Sequence, residues 1–197
     1  MKEPILYKIL RPIITLLIKI IYNPKIIGTE NIPLNKRIVL AGNHTNNFDC
    51  LLLIASLKKP IHFLAKIELT KGIKKHLFLN MGIIPVNRKI HDKKALNEAI
   101  KVLNNEKIIG IFPEGTINKT KDTILPFKIG AVKMASETDS QIVPFIITGK
   151  YKIFKNNLKI EFLKAINIPK EEDLTKYNKQ LENIISKSLR KEKNKWD

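Results

Sequence analysis

Three continuous apolar runs constrain this chain more than anything else in it: "RIVLAG" (37–42), "KIIGIF" (107–112) and "QIVPFIIT" (141–148). Each is short, rich in Val and Ile, and bounded by polar, glycine or proline residues. Such runs read as strands buried on both faces. Segments with helical spacing separate them. "FDCLLLIASL" and "KGIKKHLFLNM" read as helices, and His91 to Glu106 places Ala95, Leu96, Ala99, Ile100 and Leu103 on one side. "GAVKMASET" starts another helix. "IHFLAK" and "GIIPVNR" add short strands, and "LKIEFLKAINI" alternates as a less buried one. From Lys170 onward a charged amphipathic helix turns Leu174, Tyr177, Leu181, Ile184, Ile185 and Leu189 inward. Strands alternating with helices predict an α/β domain, with functional residues on the loops after strand ends. The length of 197 residues fits one such domain.

The first 24 residues read differently. Ile5, Leu6, Ile9, Leu10, Ile13, Leu16, Leu17, Ile20 and Ile21 recur at helical spacing, interrupted by Lys8, Arg11 and Lys19. The charge-free run from Pro12 to Ile18 is far shorter than the ~20 residues of a membrane span, and no small-residue cleavage site follows. Residues 1–24 are therefore expected to form an amphipathic helix lying in a membrane interface, with 25–197 as the globular domain. The competing expectation is a helix packed on the domain's own core. Pro12 predicts a kink or a second helix start.

Lys and Arg total 36 against 18 Asp and Glu, a formal charge of +18. That balance favours a polyanionic partner: nucleic acid, an anionic membrane or a phosphorylated substrate. About half of it is assigned to a composition biased toward Lys, Asn and Ile. The basic residues are scattered and lack an aromatic nucleic-acid-binding pattern, which argues against a nucleic-acid partner. Cys50 is the only cysteine, so no intrachain disulfide forms and no cysteine-based metal pattern exists.

Several loops carry chemistry. In "NHTNNFD", His44 and Asp49 stand five residues apart. On one continuous helix they would diverge by ~140°. With His44 in a loop and a helix starting near Asn47 or Phe48, Asp49 in the first turn reaches back to the imidazole and fixes its tautomer. The plainer alternative makes Asp49 a helix cap and His44 a structural loop residue. "FPEGT" places Glu114 between Pro113 and Gly115 after a buried strand, where glycine lets the backbone approach a ligand. "GIIPVNR" offers Arg88, a residue type suited to phosphate, and "FLAKIEL" offers Lys66 after a strand.

Taken together these blocks resemble the glycerolipid acyltransferases, the lysophosphatidate acyltransferase family. "NHTNNFD" is similar to its N-H-x4-D block, and "GIIPVNR", "FPEGT" and "IVPFIITG" to the three that follow, in the same order. "GTENIP" and "FKIGAVKMA" also resemble the family, and the likeness spans residues 26 to 150. It implies a mixed sheet flanked by helices. It implies that His44 is the catalytic base and Asp49 orients it, and that Arg88, Glu114, Gly115 and Thr116 bind the glycerol phosphate; Lys66 and Lys128 are expected as further substrate-side cations from their own positions in the sequence. Where the third block commonly continues with Arg-Ser, Ile117 and Asn118 follow Thr116 here; Lys119, Lys121 or Lys128 is the expected replacement.

The implied reaction moves an acyl group from a thioester, acyl-CoA or acyl-carrier protein, to the sn-2 hydroxyl of lysophosphatidic acid. No metal or resident cofactor is expected. The thiol leaving group, of pKa near ~8.5, departs without a strong acid, so one base suffices and no enzyme nucleophile is needed. Cys50 reads as a small apolar helix residue. The expected location is the cytoplasmic face of the cell membrane, peripheral or monotopic. The alternatives are acylation of glycerol 3-phosphate or another lysolipid, an inactive or hydrolytic relative, and a non-catalytic basic binding protein.

Overall fold

The computed structural model describes residues 5–72, 74–87, 89–90, 92–170 and 173–194. Its centre is the first of the apolar runs. Strand β2 (Ile38–Gly42) is buried along its whole length. Ile38 and Leu40 point into one core, and Val39 and Ala41 into the other, the two-residue alternation of a strand covered on both faces. β5 (Ile108–Ile111) and β6 (Gln141–Thr148) flank it, both parallel to it. β3 (Ile61–Lys66) pairs parallel with β5, and β4 (Ile84–Val86) parallel with β3. On the far side β7 (Lys159–Phe162) runs antiparallel to β6, and β1 (Lys25–Ile27) pairs parallel with β7. The order is β1-β7-β6-β2-β5-β3-β4, with β8 (Ile166–Asn167) paired to β6.

Helices α4 (Lys93–Asn104), α5 (Gly130–Thr138) and α6 (Leu174–Lys193) bury Ala99, Leu103, Val132, Leu181 and Ile185 on one face of the sheet. α1 (Ile5–Tyr22) and α2 (Asp49–Ser56) cover the other; α3 (Lys74–Asn80) precedes β4. The mixed sheet flanked by helices, and the N-terminal helix, match the expected architecture.

Three details differ from it. α1 runs through Pro12 without the expected second start. The lost backbone bond is offset by tertiary anchoring: the Tyr7 hydroxyl accepts from the Ile61 amide (3.2 Å), and Arg11 Nε donates to the Leu57 carbonyl (2.7 Å). Burial pushes the Tyr7 hydroxyl pKa up to about 12. Second, the docked stripe is Tyr7, Ile14, Ile18 and Tyr22, whereas Ile5, Ile9, Ile13, Leu16, Leu17 and Ile20 stay exposed. The expectation of a helix packed on the domain's own core thus holds for one face, and the opposite face is exposed. Third, the segment read as one strand at 158–168 is two, because the chain leaves β7 after Phe162 and rejoins β6 lower down at Ile166.

His62 on β3 is buried, with Nδ1 3.1 Å from the Gly82 carbonyl and Nε2 lacking a partner. Burial, then nearby Lys107, holds its pKa below the ordinary histidine value. Its neutral form is thus the folded form. Below pH ~6.5 the unfolded chain takes up this proton first, so stability falls with falling pH through that value. Denaturant unfolding at pH 7.5 and 5.5 is expected to reveal this loss, and His62→Gln is expected to reduce it.

Candidate active site

The five parallel strands β6, β2, β5, β3 and β4 all end at one edge of the sheet. The loops after them carry nearly every residue singled out in the sequence, the position expected for a site in an open α/β sheet. The loop after β2 starts with Asn43, which is buried. Its side-chain amide donates to the Ile147 carbonyl (2.9 Å) and its oxygen accepts from the Ile147 amide (2.8 Å). It thus closes the end of β2 against β6 as a further strand residue would.

The chain then turns so that α2 begins at Asp49. The Asp49 carboxylate is fully buried and accepts from five donors. Oδ2 receives His44 Nδ1 (2.8 Å), the Thr45 amide (2.6 Å) and the Asn46 amide (2.8 Å). Oδ1 receives the Thr45 hydroxyl (3.0 Å) and the Tyr151 hydroxyl (2.7 Å). Burying a carboxylate costs several kcal/mol unless donors surround it, and this loop is folded around that requirement. A carboxylate accepts only, so the neutral His44 ring carries its proton on Nδ1 and its lone pair on Nε2. Phe112 stacks on the ring, with centroids 4.1 Å apart and planes at 14°, and fixes its plane. The His44 side chain keeps 14% of its surface exposed, which leaves it open to a substrate.

The loop after β5 holds the histidine's backbone. Glu114 Oε1 accepts from the His44 amide (2.8 Å) and the Asn118 amide donates to the His44 carbonyl (3.0 Å). Glu114 Oε2 accepts from the Leu125 amide (2.8 Å). Burial raises the Glu114 pKa, and the two amide bonds oppose that shift. Oε1 therefore ties the two loops together and Oε2 braces the loop internally, and next to Glu114 stand Gly115, half-buried, and Thr116, exposed. Gly115 has φ 72°, and a Cβ there would meet Lys128 Cε at 2.9 Å. Lys128 thus lies against Gly115, the nearest approach of the three lysines weighed as replacements after Thr116. Asn118, at one of the departed positions, instead ties the loop to His44.

Lys66 is exposed at the end of β3, in register with Val86. No contact joins it to His44. Asp92 accepts from the Asn87 and Ala95 amides (2.8 and 3.0 Å), drawing the end of β4 onto α4, and those amides hold its carboxyl below the usual range. Arg88 lies outside the described residues. Burial, then Asp49, pushes the Cys50 thiol up to about 12, which keeps it protonated and apolar in behaviour. Among the described residues, no three His, Cys, Asp or Glu side chains group as metal ligands.

Sequence reasoning assigned no role to Asn43, Phe112 or Tyr151. The first two stand inside the quoted blocks. Tyr151 lies 102 residues from Asp49 and carried no local signal. Burial and Asp49 hold its hydroxyl protonated by raising its pKa, so it remains a donor.

This arrangement suits acid–base chemistry: a partly exposed histidine with a held carboxylate behind it and, among the described residues, no nucleophile bonded to the ring. The family described as Acyltransferase matches residues 23–148, and the chain belongs to it. Among its relatives, a 1-acyl-sn-glycerol-3-phosphate acyltransferase of Borreliella burgdorferi is 38% identical over 134 residues, covering 66% of this chain and 53% of that one. One from Bacillus subtilis is 32% identical, covering 64% and 62%. The chain therefore matches little more than half the length of these curated relatives. The crystal structure of the Thermotoga maritima 1-acyl-sn-glycerophosphate acyltransferase has a TM-score of 0.77 over 97% of this chain and 83% of that one, at 21% identity, and shares the fold.

Replacing Tyr151 by Phe is expected to leave the fold intact and to slow acyl transfer roughly 10-fold, the scale of one lost bond to a charged group. Steady-state kinetics beside a thermal melt check this.

Proposed function

We propose that this protein transfers a fatty acyl group from a thioester donor to the sn-2 hydroxyl of lysophosphatidic acid, yielding phosphatidic acid at a membrane surface. One observation carries the reading: His44 Nδ1 bonds the buried Asp49 at 2.8 Å, which leaves Nε2 as the ring's basic nitrogen, and among the described residues no thiol or hydroxyl is bonded to it. Nε2 accepts the acceptor's hydroxyl proton as its oxygen attacks the thioester carbonyl. The tetrahedral intermediate collapses by breaking the C–S bond, and the imidazolium returns the proton to the departing thiolate. Asp49 stabilises the imidazolium between these two events. General-base help of this kind accounts for ~10²- to 10⁴-fold.

The names of the matched relatives support the lysophosphatidic acid acceptor. Its phosphate monoester fits the Gly115–Thr116 turn with Lys128 against it, the family resemblance adds Arg88, and Lys66 at the end of β3 is a further cation. The donor is acyl-CoA or acyl-carrier protein. No described helix is long and apolar enough to cross a membrane. The exposed stripe Ile5, Ile9, Ile13, Leu16 and Ile20 of α1, with the exposed Lys8 and Lys19 on the same helix, instead supports lying in the interface of an anionic bilayer. Tyr7 and Ile18 of the same helix sit in the core, so this role is tested by substitution rather than by deletion.

An acyltransferase assay on a panel of lysolipids and glycerol 3-phosphate tests the reading. Transfer to lysophosphatidic acid is expected, falling at least ~100-fold in His44→Ala. Full activity in that variant contradicts the mechanism, and preference for glycerol 3-phosphate moves the reaction to sn-1.

A further inference from the structure

Phe154 is 77% exposed, the highest value for a large apolar side chain among the described residues, and its neighbour Ile153 is 63% exposed. Both sit at the tip of the loop that joins β6 to β7 across the pair Thr148 and Lys159. The base of this loop is tight: Gly149 has φ 84°, and a Cβ there would fall 1.8 Å from the Asn157 carbonyl oxygen. The tip is strained as well, because Phe154 adopts φ 56°, a left-handed conformation unfavourable for a bulky residue. The fold gains no apolar burial from this ring, yet the loop holds it outward, with the Phe154 amide donating to the Ile21 carbonyl (2.9 Å).

That bond sets the tip at the end of α1, at the residue after the exposed Ile20. Tyr22 then packs edge-on against Tyr151, centroids 5.3 Å apart, and Phe48 lies 6.0 Å from Tyr151. Phe48 is itself 44% exposed, four residues from His44. Exposed apolar side chains thus lie on α1, at the Ile153–Phe154 tip bonded to the end of α1, and at Phe48 beside the His44 loop. Residues 149–157 contain Lys150, Lys152 and Lys155 and no acidic residue. Apolar tips flanked by lysines match the headgroup region of an anionic bilayer, where the rings enter and the ammonium groups meet phosphates.

We propose that the β6–β7 loop is a second membrane-insertion element, with Ile153 and Phe154 entering an anionic bilayer beside α1. The inference rests on the reading of this protein as a membrane-surface enzyme and adds a second contact. Two contacts, one on each side of Tyr22, fix the orientation of the molecule and not only its attachment. Because the same loop carries Tyr151, the bilayer meets the protein directly beside the residue that holds Asp49.

The test uses the full chain and vesicles of phosphatidylglycerol and phosphatidylcholine. Trp196 is the only tryptophan, so Phe154→Trp in a Trp196→Phe background places one fluorophore at the tip. Vesicles are expected to shift its emission to the blue, and brominated acyl chains to quench it. Phe154→Gly removes the ring and relieves the backbone strain, so the melting temperature is expected to hold or rise while vesicle affinity falls at least about 10-fold, the scale of one large apolar side chain. Unquenched emission, or undiminished affinity of Phe154→Gly, while the wild type still floats with vesicles, overturns the loop's role. In that case Ile9→Ser/Ile13→Ser/Leu16→Ser reports whether α1 anchors alone. A wild type that does not float overturns the membrane reading together with this inference. Self-association abolished by Phe154→Gly, without quenching, assigns the tip to a second copy and overturns it too.

Discussion

Everything at the candidate site is arranged around one buried carboxylate. Asp49 has no side-chain exposure and, among the described residues, its one ion-pair partner is His44. Its charge is carried by two backbone amides, two hydroxyls and one imidazole N–H. The two amides belong to the residues just after His44, so satisfying Asp49 forces the chain into the turn that brings the ring back. The carboxylate shapes the loop, and the loop presents the imidazole. This explains why the pair is separated by four residues and straddles a helix start. A helix running through both would send them ~140° apart.

Sheet order supplies the rest of the site. β2 and β5 are adjacent and parallel, so the loop bearing Glu114 emerges beside the loop bearing His44, although 70 residues separate them. Glu114 exploits that adjacency by accepting one amide from each loop. Its negative charge makes it a poor direct partner for a phosphate. Its position, with both oxygens turned to amides, makes it a strut that leaves Gly115 and Thr116 at the surface. A similar logic governs the other side, where β6 delivers Tyr151 to Asp49 and Asn43 locks β2 to β6 at the point where the catalytic loop departs.

The sequence was most readable where one physical rule dominated. Strands buried on both faces must be apolar without alternation, so β2, β5 and β6 stood out. β1 did not, because its three residues are mostly exposed at the sheet edge. The His44–Asp49 pair and the Glu114 loop were visible as blocks of polar residues after such strands. Tyr151 was invisible because its partner is reached only through the pairing of β6 with β2. Phe112 and Asn43 stood in plain view, but stacking and strand-end closure leave no sequence pattern. For α1, apolar residues occur on two faces, and periodicity alone does not say which docks. The Tyr7 hydroxyl and the Arg11 guanidinium decide it, since each finds a backbone partner only with the helix turned this way.

The central claim is that Asp49 holds the neutral His44 ring with its proton on Nδ1 and its lone pair on Nε2. Nitrogen-15 NMR of the histidine rings, with His44 assigned by its loss in His44→Ala, measures this directly. The account predicts a protonated, strongly hydrogen-bonded Nδ1 and an unprotonated Nε2 in the neutral ring, and loss of that signature in Asp49→Ala. A proton on Nε2 and a bare Nδ1 in the wild-type protein would contradict it.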